Sequence, residues 1–312
     1  MGIDEHISTF AGRTIVPLGR AALLNQLEAV ALRIDVDFES AEQGTTISER
    51  FEQLARRENL ARLEALVIGS WGEPWETDAG PVVQELVALS RRLPRLKALF
   101  LGDITAEECE ISAIRQTDCS PLWAAFPQLE ELWIRGAEGL SLGEIQHDSL
   151  RKLVLEAGGL SSAVVGEVVS ARLPRLEHLE LWLGTEECGG DTCLADLAPL
   201  LTGEGFESLS SLGLRNSSIT DQIASGLAAA PLLARLKVLD LSLGTLGDEG
   251  ALALLNSSRL SGLRKLDLHC HFMTDNVVVQ LRKLPCEVIL TGQQQPDDWG
   301  DGEFHRYVSV SE

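Results

Sequence analysis

The chain has 312 residues, of which 45% are hydrophobic and only 5% are aromatic. Its formal net charge of -21 repels phosphate backbones, so nucleic acid is not expected as a ligand. The first twenty residues lack the basic region of a signal peptide, and no stretch approaches the roughly 20 apolar residues of a membrane span, so the sequence predicts an acidic, cytoplasmic protein without a membrane partner.

The first element is predicted to be an N-terminal cap over residues 1–28, because an apolar pattern begins immediately after it. The pattern has three apolar positions, usually L-x-x-L-x-L, and its copies start at residues 29, 63, 96, 129, 150, 176, 209, 236 and 263. Its last two apolar positions lie two residues apart, so they share one face of a strand. This is the leucine-rich-repeat signature.

The repeats predict an α/β fold in which neighbouring strands bury one another's leucines. We expect a right-handed leucine-rich-repeat solenoid, or horseshoe, over residues 29–291, with about nine to ten repeats, a concave parallel sheet and convex helices or loops. Repeats near 27 residues have room for a helix of two to three turns. The predicted helices span residues 48–57, 81–93, 121–126, 161–172, 221–230, 248–256 and 274–284.

The last segment, residues 292–312, is polar and rich in glycine and aspartate, and it is predicted to be a flexible acidic tail. Within it, the stretch RYVSV is compatible with a final strand or with a segment that folds back. Nearer the other end, Trp71 and Trp75 follow a predicted strand. They form either a rim of the binding face or a plug that seals the N-terminal repeats.

Two sets of motifs resemble known leucine-rich-repeat proteins. The repeats beginning LGLRNSSITDQIASGL, LDLSLGTLGDEGALALL and LDLHCHFMTDNVVVQL are similar to the ribonuclease-inhibitor-like subclass, although Ser217, Gly244 and His271 replace the usual turn asparagine. The segments FAGRTIV, ECEISAIRQTDCSPLWAAFPQLEELWIRG and RYVSVSE resemble a bacterial family without an assigned activity. The resemblance implies a cytosolic protein that binds other proteins, and it transfers no catalytic residue.

The residues between and beside the strand leucines are predicted to form columns across the concave face. The central column contains Phe100 and Trp133, and Trp182 falls in the next column. Three large aromatic rings can bury a patch typical of interaction sites. Alternatively, long loops fold over this face and bury the rings internally.

The C-terminal half of the same face is predicted to be acidic. Its partner-binding candidates are Glu180, Asp240 and Asp267, and the candidates Arg135, Arg215 and His269 lie in the adjacent column. Rows of like charge repel, which favours a basic protein or peptide as the partner. The other interpretation is an ordinary solvated surface on an acidic protein.

Three further motifs are weak indications of chemistry. His269, Cys270 and His271 have metal-compatible side chains, and 139–143 matches the G-x-S-x-G pattern of a hydrolase but lies in the shortest repeat. Cys188 and Cys193 are the one close pair of the six cysteines, which are expected to stay reduced. We therefore predict no catalytic residue, no metal site and no cofactor.

These features favour a non-catalytic scaffold that binds a protein or peptide on its concave sheet. A self-associating structural protein is a second possibility, in which another copy of the chain occupies the aromatic stripe. An enzyme or a metal-dependent accessory protein is a third, and it requires His/Asp residues to converge in one pocket, namely His178, His269, Asp240 and Asp267. The sequence leaves the partner's identity and the oligomeric state open.

Overall fold

The computed structural model describes residues 3–20, 26–298 and 304–311. The chain divides into two compact units. Unit 1 contains Met1–Glu156 and Ala171–Leu173, and unit 2 contains Ala157–Ser170 and Pro174–Ser311. No helix within the described ranges is long and apolar enough to cross a bilayer.

Unit 1 is built on strands that follow one another in chain order. β1 and β2 form an antiparallel pair, and each later strand pairs in parallel with the one before it. The strands are β1 (Thr9–Phe10), β2 (Arg13–Pro17), β3 (Val30–Val36), β4 (Ala65–Trp71), β5 (Ala98–Leu101), β6 (Glu131–Arg135) and β7 (Lys152–Glu156). The helices between them are α1 (Phe38–Glu42), α2 (Ile47–Ala55), α3 (Gly80–Leu89) and α4 (Pro121–Ala125).

Unit 2 repeats the same strand and helix alternation. Its parallel strands are β8 (His178–Gly184), β9 (Ser211–Ser217), β10 (Val238–Asp240), β11 (Lys265–Asp267) and β12 (Glu287–Ile289). A short antiparallel pair joins β13 (Asp297–Asp298) and β14 (Phe304–His305). The helices are α5 (Ser162–Val169), α6 (Ala198–Thr202), α7 (Thr220–Ala229), α8 (Asp248–Leu255) and α9 (Asp275–Leu281).

The predicted leucine ladder forms the core of each unit. The middle leucines of the repeats pair in register within unit 1, and they do so within unit 2 as well. All nine are fully buried: Leu32, Leu66, Leu99, Leu132, Leu153, Leu179, Leu212, Leu239 and Leu266. A strand cannot bury its leucines alone, and each neighbour in the sheet covers one side of the row. The predicted α/β fold class with parallel sheets is therefore confirmed.

Each of the seven predicted helices is present, with ends that differ by a few residues. Helix α2 shows how the sequence specifies one: Thr46 caps it in a reciprocal capping box with Glu49, and Ile47, Phe51 and Leu54 form its buried face. The two helices that were not predicted, α1 and α6, have five residues each. Neither shows enough apolar periodicity to be recognised from the sequence. The equally short α4 was predicted because Pro121, which follows Ser120, marks a helix start.

The described C-terminal residues 304–311 pack against unit 2. Val308 is buried, and the backbone N–H of Ser309 donates to the Leu243 carbonyl at 2.8 Å. The N–H of Val310 donates to the Asn216 side-chain oxygen at 3.0 Å, while Asn216 Nδ2 donates to the Val310 carbonyl. After β14 the stretch RYVSV therefore folds back on unit 2 rather than forming another long strand.

Candidate functional site

The predicted columns lie on the face of each sheet opposite the leucine ladder, which we call the non-leucine face. In unit 1 the register aligns Val67, Phe100, Trp133 and Val154. In unit 2 it aligns Glu180, Gly213, Asp240 and Asp267. The strands thus place neighbouring side chains of each column beside one another, as the repeat pattern predicted.

Phe100 does not form part of an exposed stripe, and that expectation is wrong. Its ring is fully buried beneath the N-terminal segment, which contributes Ile7 and Phe10 to an apolar cluster on the non-leucine face of unit 1. The ring centroids of Phe10 and Phe100 are 6.0 Å apart, and Phe10 meets Trp133 edge-on at 5.8 Å. The chain covers this apolar face itself, which keeps a large hydrophobic patch out of water.

Trp133 is partly buried at the margin of this apolar cluster. Its indole N–H donates to Glu131 Oε1 at 2.8 Å, and the Lys152 ammonium lies 4.5 Å from the ring centroid. Lys152 also pairs with Glu131 at 3.3 Å. Glu131 and Lys152 therefore hold the indole, and only part of its surface is accessible to a partner.

Arg135 was predicted to contact a partner, but its guanidinium lies inside unit 1. Its Nε donates to Glu156 Oε2 at 2.7 Å, and its Nη1 donates to the carbonyl of Ile104 at 2.7 Å. The side chains of Arg135 and Glu156 are only 2% and 7% exposed. The pair therefore fixes the ends of β6 and β7 internally, and the prediction of a surface role for Arg135 is wrong.

Trp182 is also buried, with 1% of its surface exposed, so it is not an accessible anchor either. Its indole N–H donates to Glu180 Oε1 at 2.8 Å, and the Arg215 guanidinium carbon lies 4.8 Å from its ring centroid. Arg215 Nη1 donates to the same Glu180 oxygen at 2.7 Å. The three side chains form a compact clamp on the non-leucine face of unit 2, and Arg215 covers the ring.

Glu180 is ionised within this clamp. Burial disfavours its charge, but hydrogen bonds from His178, Trp182 and Arg215 and the positive charge of Arg215 lower the pKa of Glu180 well below its usual value of 4.5. His178 Nε2 lies 3.5 Å from Glu180 Oε2, and His178 Nδ1 lies 2.8 Å from the Ser211 hydroxyl. Both oxygens of the Glu180 carboxylate therefore have polar neighbours: Trp182 and Arg215 at Oε1, and His178 at Oε2.

Asp240 and Asp267 sit side by side in the register of β10 and β11. Burial raises the pKa of Asp240, and the negative charge of Asp267 raises it further, against the opposing effects of Arg215 and Ser242. For Asp267, burial is outweighed by a hydrogen bond from His269 at 2.7 Å and by Lys265 at 3.3 Å, which lower its pKa. The two carboxylates remain a closely spaced acidic pair.

The His and Asp residues considered for catalysis do not converge. His269 is bonded to Asp267, whereas His178 lies on β8, three strand spacings or roughly 14 Å from β11. His271 is buried; this burial lowers its pKa, and its Nδ1 accepts from the Met273 N–H. Within the described residues no group of three or more His, Cys, Asp or Glu side chains could hold a metal ion.

The remaining motifs are the G-x-S-x-G segment and the cysteines. Ser141 Oγ accepts from the Gly143 N–H at 3.3 Å, and no helix follows it within the described residues before β7. All six cysteines are free thiols, and Cys188 Sγ donates to the Ser311 carbonyl at 3.0 Å.

Trp71, the last residue of β4, and Trp75 divide between the two roles that the sequence left open. Trp71 is buried and its indole N–H donates to the Thr77 carbonyl at 2.9 Å, as a plug would. Trp75 is partly exposed beside Phe38, with ring centroids 6.1 Å apart. Sequence reasoning did not identify Phe38, because it lies in helix α1, which was not predicted.

Similarity to one solved structure supports the fold. A solved structure of a Bacteroides fragilis protein is similar over 85% of this chain and 76% of that chain, with 29% identity and a TM-score of 0.80. An internalin from Listeria monocytogenes matches over 83% of this chain and 88% of its own, with 17% identity and a TM-score of 0.34. No family model and no curated protein matches the chain.

Proposed function

We propose that the protein is a non-catalytic scaffold that binds a basic protein segment or peptide on the non-leucine face of unit 2. Leucine-rich repeats present a broad, regular sheet surface, which suits a binding role. The observation that carries the proposal is the pair Asp240 and Asp267, held in register on adjacent strands. Like charges at this spacing repel, and a basic partner relieves that repulsion.

The side chains around this pair support a binding role as well. Arg215 is committed to Glu180 and to Asp240, whose Oδ2 lies 3.4 Å from its Nε. Arg215 thereby holds Glu180 and Asp240 in place before a partner arrives, and Lys265 and His269 hold Asp267. Carboxylates that are already positioned lower the entropic cost of binding. Phe100, Trp182 and Arg135 are excluded from the proposed contact because they are at most 2% exposed. The side chain of Asp240 is 20% exposed, and that of Asp267, which is 8% exposed, contributes to the proposed contact through its charge.

The proposal is tested by selecting peptides from a random displayed library on the immobilised protein. The double variant Asp240→Asn with Asp267→Asn removes two charges from the proposed surface. The matched control, Glu204→Gln with Glu249→Gln, removes two charges from exposed positions elsewhere in unit 2. Thermal melts confirm that each variant is folded.

We expect the selected peptides to be rich in Lys and Arg and to lose affinity for the Asp variant but not for the control. The difference should shrink as salt rises, because the Debye length falls from about 30 Å at 0.01 M to about 8 Å at 0.15 M ionic strength. Peptides without a basic bias, or an equal loss with the control variant, would contradict the proposal.

A further inference from the structure

A cavity of about 670 Å³ opens in unit 1, away from the residues discussed so far. It lies at the loops that follow β3, β4 and β5, the carboxyl ends of three parallel strands, where α/β proteins commonly bind ligands. Its size is within the range of ligand sites. The residues that give it chemical character are Asp37, Phe38, Glu39, Trp75, Glu107 and Glu108.

Two aromatic rings form an exposed platform in this cavity. Phe38 is 50% exposed, which is unusual for a phenylalanine, and its ring plane is tilted by 33° from that of the partly exposed Trp75. The loop that carries Trp75 is anchored by the buried Trp71, whose indole N–H bonds to Thr77. The platform is therefore positioned by its own loop before any ligand binds.

Carboxylates surround the platform. Asp37 accepts from the Ser40 N–H at 2.7 Å, and this bond lowers its pKa. Burial opposes the charge of Glu108, but hydrogen bonds from His6 and from the Thr105 N–H lower its pKa. Glu39 and Glu107 are exposed. No Lys, Arg or His is among the described residues that line the cavity. Because His6 pairs with Glu108 from behind the lining, the negative charge of the cavity comes chiefly from Asp37, Glu39 and Glu107.

We propose that this cavity binds the side chain of an arginine in a peptide segment of a partner protein. Aromatic faces attract cations, and carboxylates accept the forked hydrogen bonds of a guanidinium. The shallow tilt between the rings suits a flat group that stacks, whereas an ammonium lacks a planar face. The site uses no residue of unit 2, so it can be tested separately from the acidic surface proposed there.

Isothermal titration with short capped peptides tests the proposal on the full chain. The probes are Gly-Gly-Arg-Gly-Gly, the same peptide with citrulline, which keeps the shape of arginine without its charge, and the same peptide with lysine. We expect the arginine peptide to bind about tenfold more tightly than the citrulline peptide and more tightly than the lysine peptide. Absence of arginine-peptide binding at millimolar concentration, or equal binding of all three peptides, overturns the proposal.

Variants locate the binding. Trp75→Ala, or the milder Phe38→Ala at an exposed ring, should lower the affinity for the arginine peptide about tenfold. The double variant Glu39→Gln with Glu107→Gln should lower it by a similar factor. The matched controls are Phe304→Ala, an exposed phenylalanine of unit 2, and Glu58→Gln with Glu110→Gln, exposed carboxylates of unit 1 outside the cavity. Unchanged affinity in the folded cavity variants, or equal losses in the controls, overturns the proposal.

Discussion

Phe10 packs on Phe100 with ring centroids 6.0 Å apart, although the two residues belong to opposite ends of the N-terminal third of the chain. The contact closes the non-leucine face of unit 1 with the protein's own first residues. Ile7 and Phe10 are 5% and 3% exposed there. This face is therefore part of the folded core and not a free docking surface.

Removing the Phe10 ring should destabilise the protein substantially. Phe10→Ala deletes a fully packed aromatic side chain and leaves a cavity above Phe100, so we expect a loss of about 3 to 5 kcal/mol in the free energy of unfolding. Denaturant titration measures it. Phe304→Ala, at a ring that is 73% exposed, serves as the control and should change stability by less than about 0.5 kcal/mol.

The leucine ladder predicts a second stability effect. Leu212 is fully buried and in register with Leu179 and Leu239, so Leu212→Ala should cost about 2 to 5 kcal/mol. Leu252, which is 37% exposed on α8, is the matched control and should cost far less when replaced by alanine. Similar losses at both positions, measured by chemical unfolding, would show that the register of unit 2 is mistaken.

His6 ties the N-terminal segment to unit 1 in a pH-dependent way. Hydrogen bonds to Asp103 and Glu108 raise the pKa of His6 from 6.5 to about 9, against partial burial and the opposing charge of Arg33. Its Nδ1 lies 3.7 Å from Asp103 and its Nε2 lies 3.5 Å from Glu108. A raised folded pKa means that the stabilisation is complete below pH 6.5 and is lost as the pH rises through about 9.

NMR titration of the His6 ring should therefore show a midpoint near pH 9, whereas an exposed imidazole titrates near pH 6.5. Thermal stability of the natural chain should fall between pH 7 and pH 10 more steeply than that of His6→Gln, which has no such proton to lose. A midpoint near 6.5, or parallel stability curves for the two proteins, is inconsistent with the ion pairs described.

The clamp in unit 2 predicts that substitutions of Arg215 and Glu180 have non-additive effects on the free energy of unfolding. Arg215→Met leaves Glu180 charged and buried without its arginine partner, so we expect a loss of about 3 to 5 kcal/mol at pH 7. Adding Glu180→Gln removes the stranded charge and should restore a large part of that loss. A double-mutant cycle from urea titrations measures the coupling, and strict additivity would show that the two groups do not interact.

The same clamp makes the protein sensitive to acid. Because the pKa of Glu180 is lowered on folding, its contribution is complete above its usual value of 4.5 and is lost as the pH falls through the lower folded value. Glu180→Gln should therefore flatten the loss of stability below pH 4.5. The comparison of thermal melts for the two proteins between pH 2 and pH 6 measures this difference.

The thiols should react in an order set by burial. Cys193 is exposed, whereas burial raises the pKa of Cys109 to about 11 and that of Cys119 to about 12. Only the thiolate reacts, so iodoacetamide at pH 8 should label Cys193 first and Cys119 last. Peptide mass mapping over time reports the order. We also expect reductant to leave the melting temperature unchanged, since the protein is predicted to need no disulfide.

The sequence by itself determined the nine repeat strands, β3 to β11, their register and most of the helices. The spacing between Leu32, Leu66 and Leu99 marks equivalent positions in successive repeats, and each repeat must cover the leucines of the one before it. Helix ends also depend on local signals, such as the Thr46 and Glu49 capping box that begins α2 at residue 47, where the predicted start was residue 48. These features are predictable because each depends on residues within one repeat or on its nearest neighbours.

Only the tertiary structure decided which side chains of the non-leucine face are accessible. The Ile7 N–H bonds to the Asp103 carboxylate 96 residues away, and Asn216 holds Val310 from 94 residues away. No repeat pattern encodes such contacts, so the sequence could not show that Phe100 lies beneath Phe10. Periodicity fixes the face to which a residue points, whereas what covers that face depends on segments that lie outside the repeats.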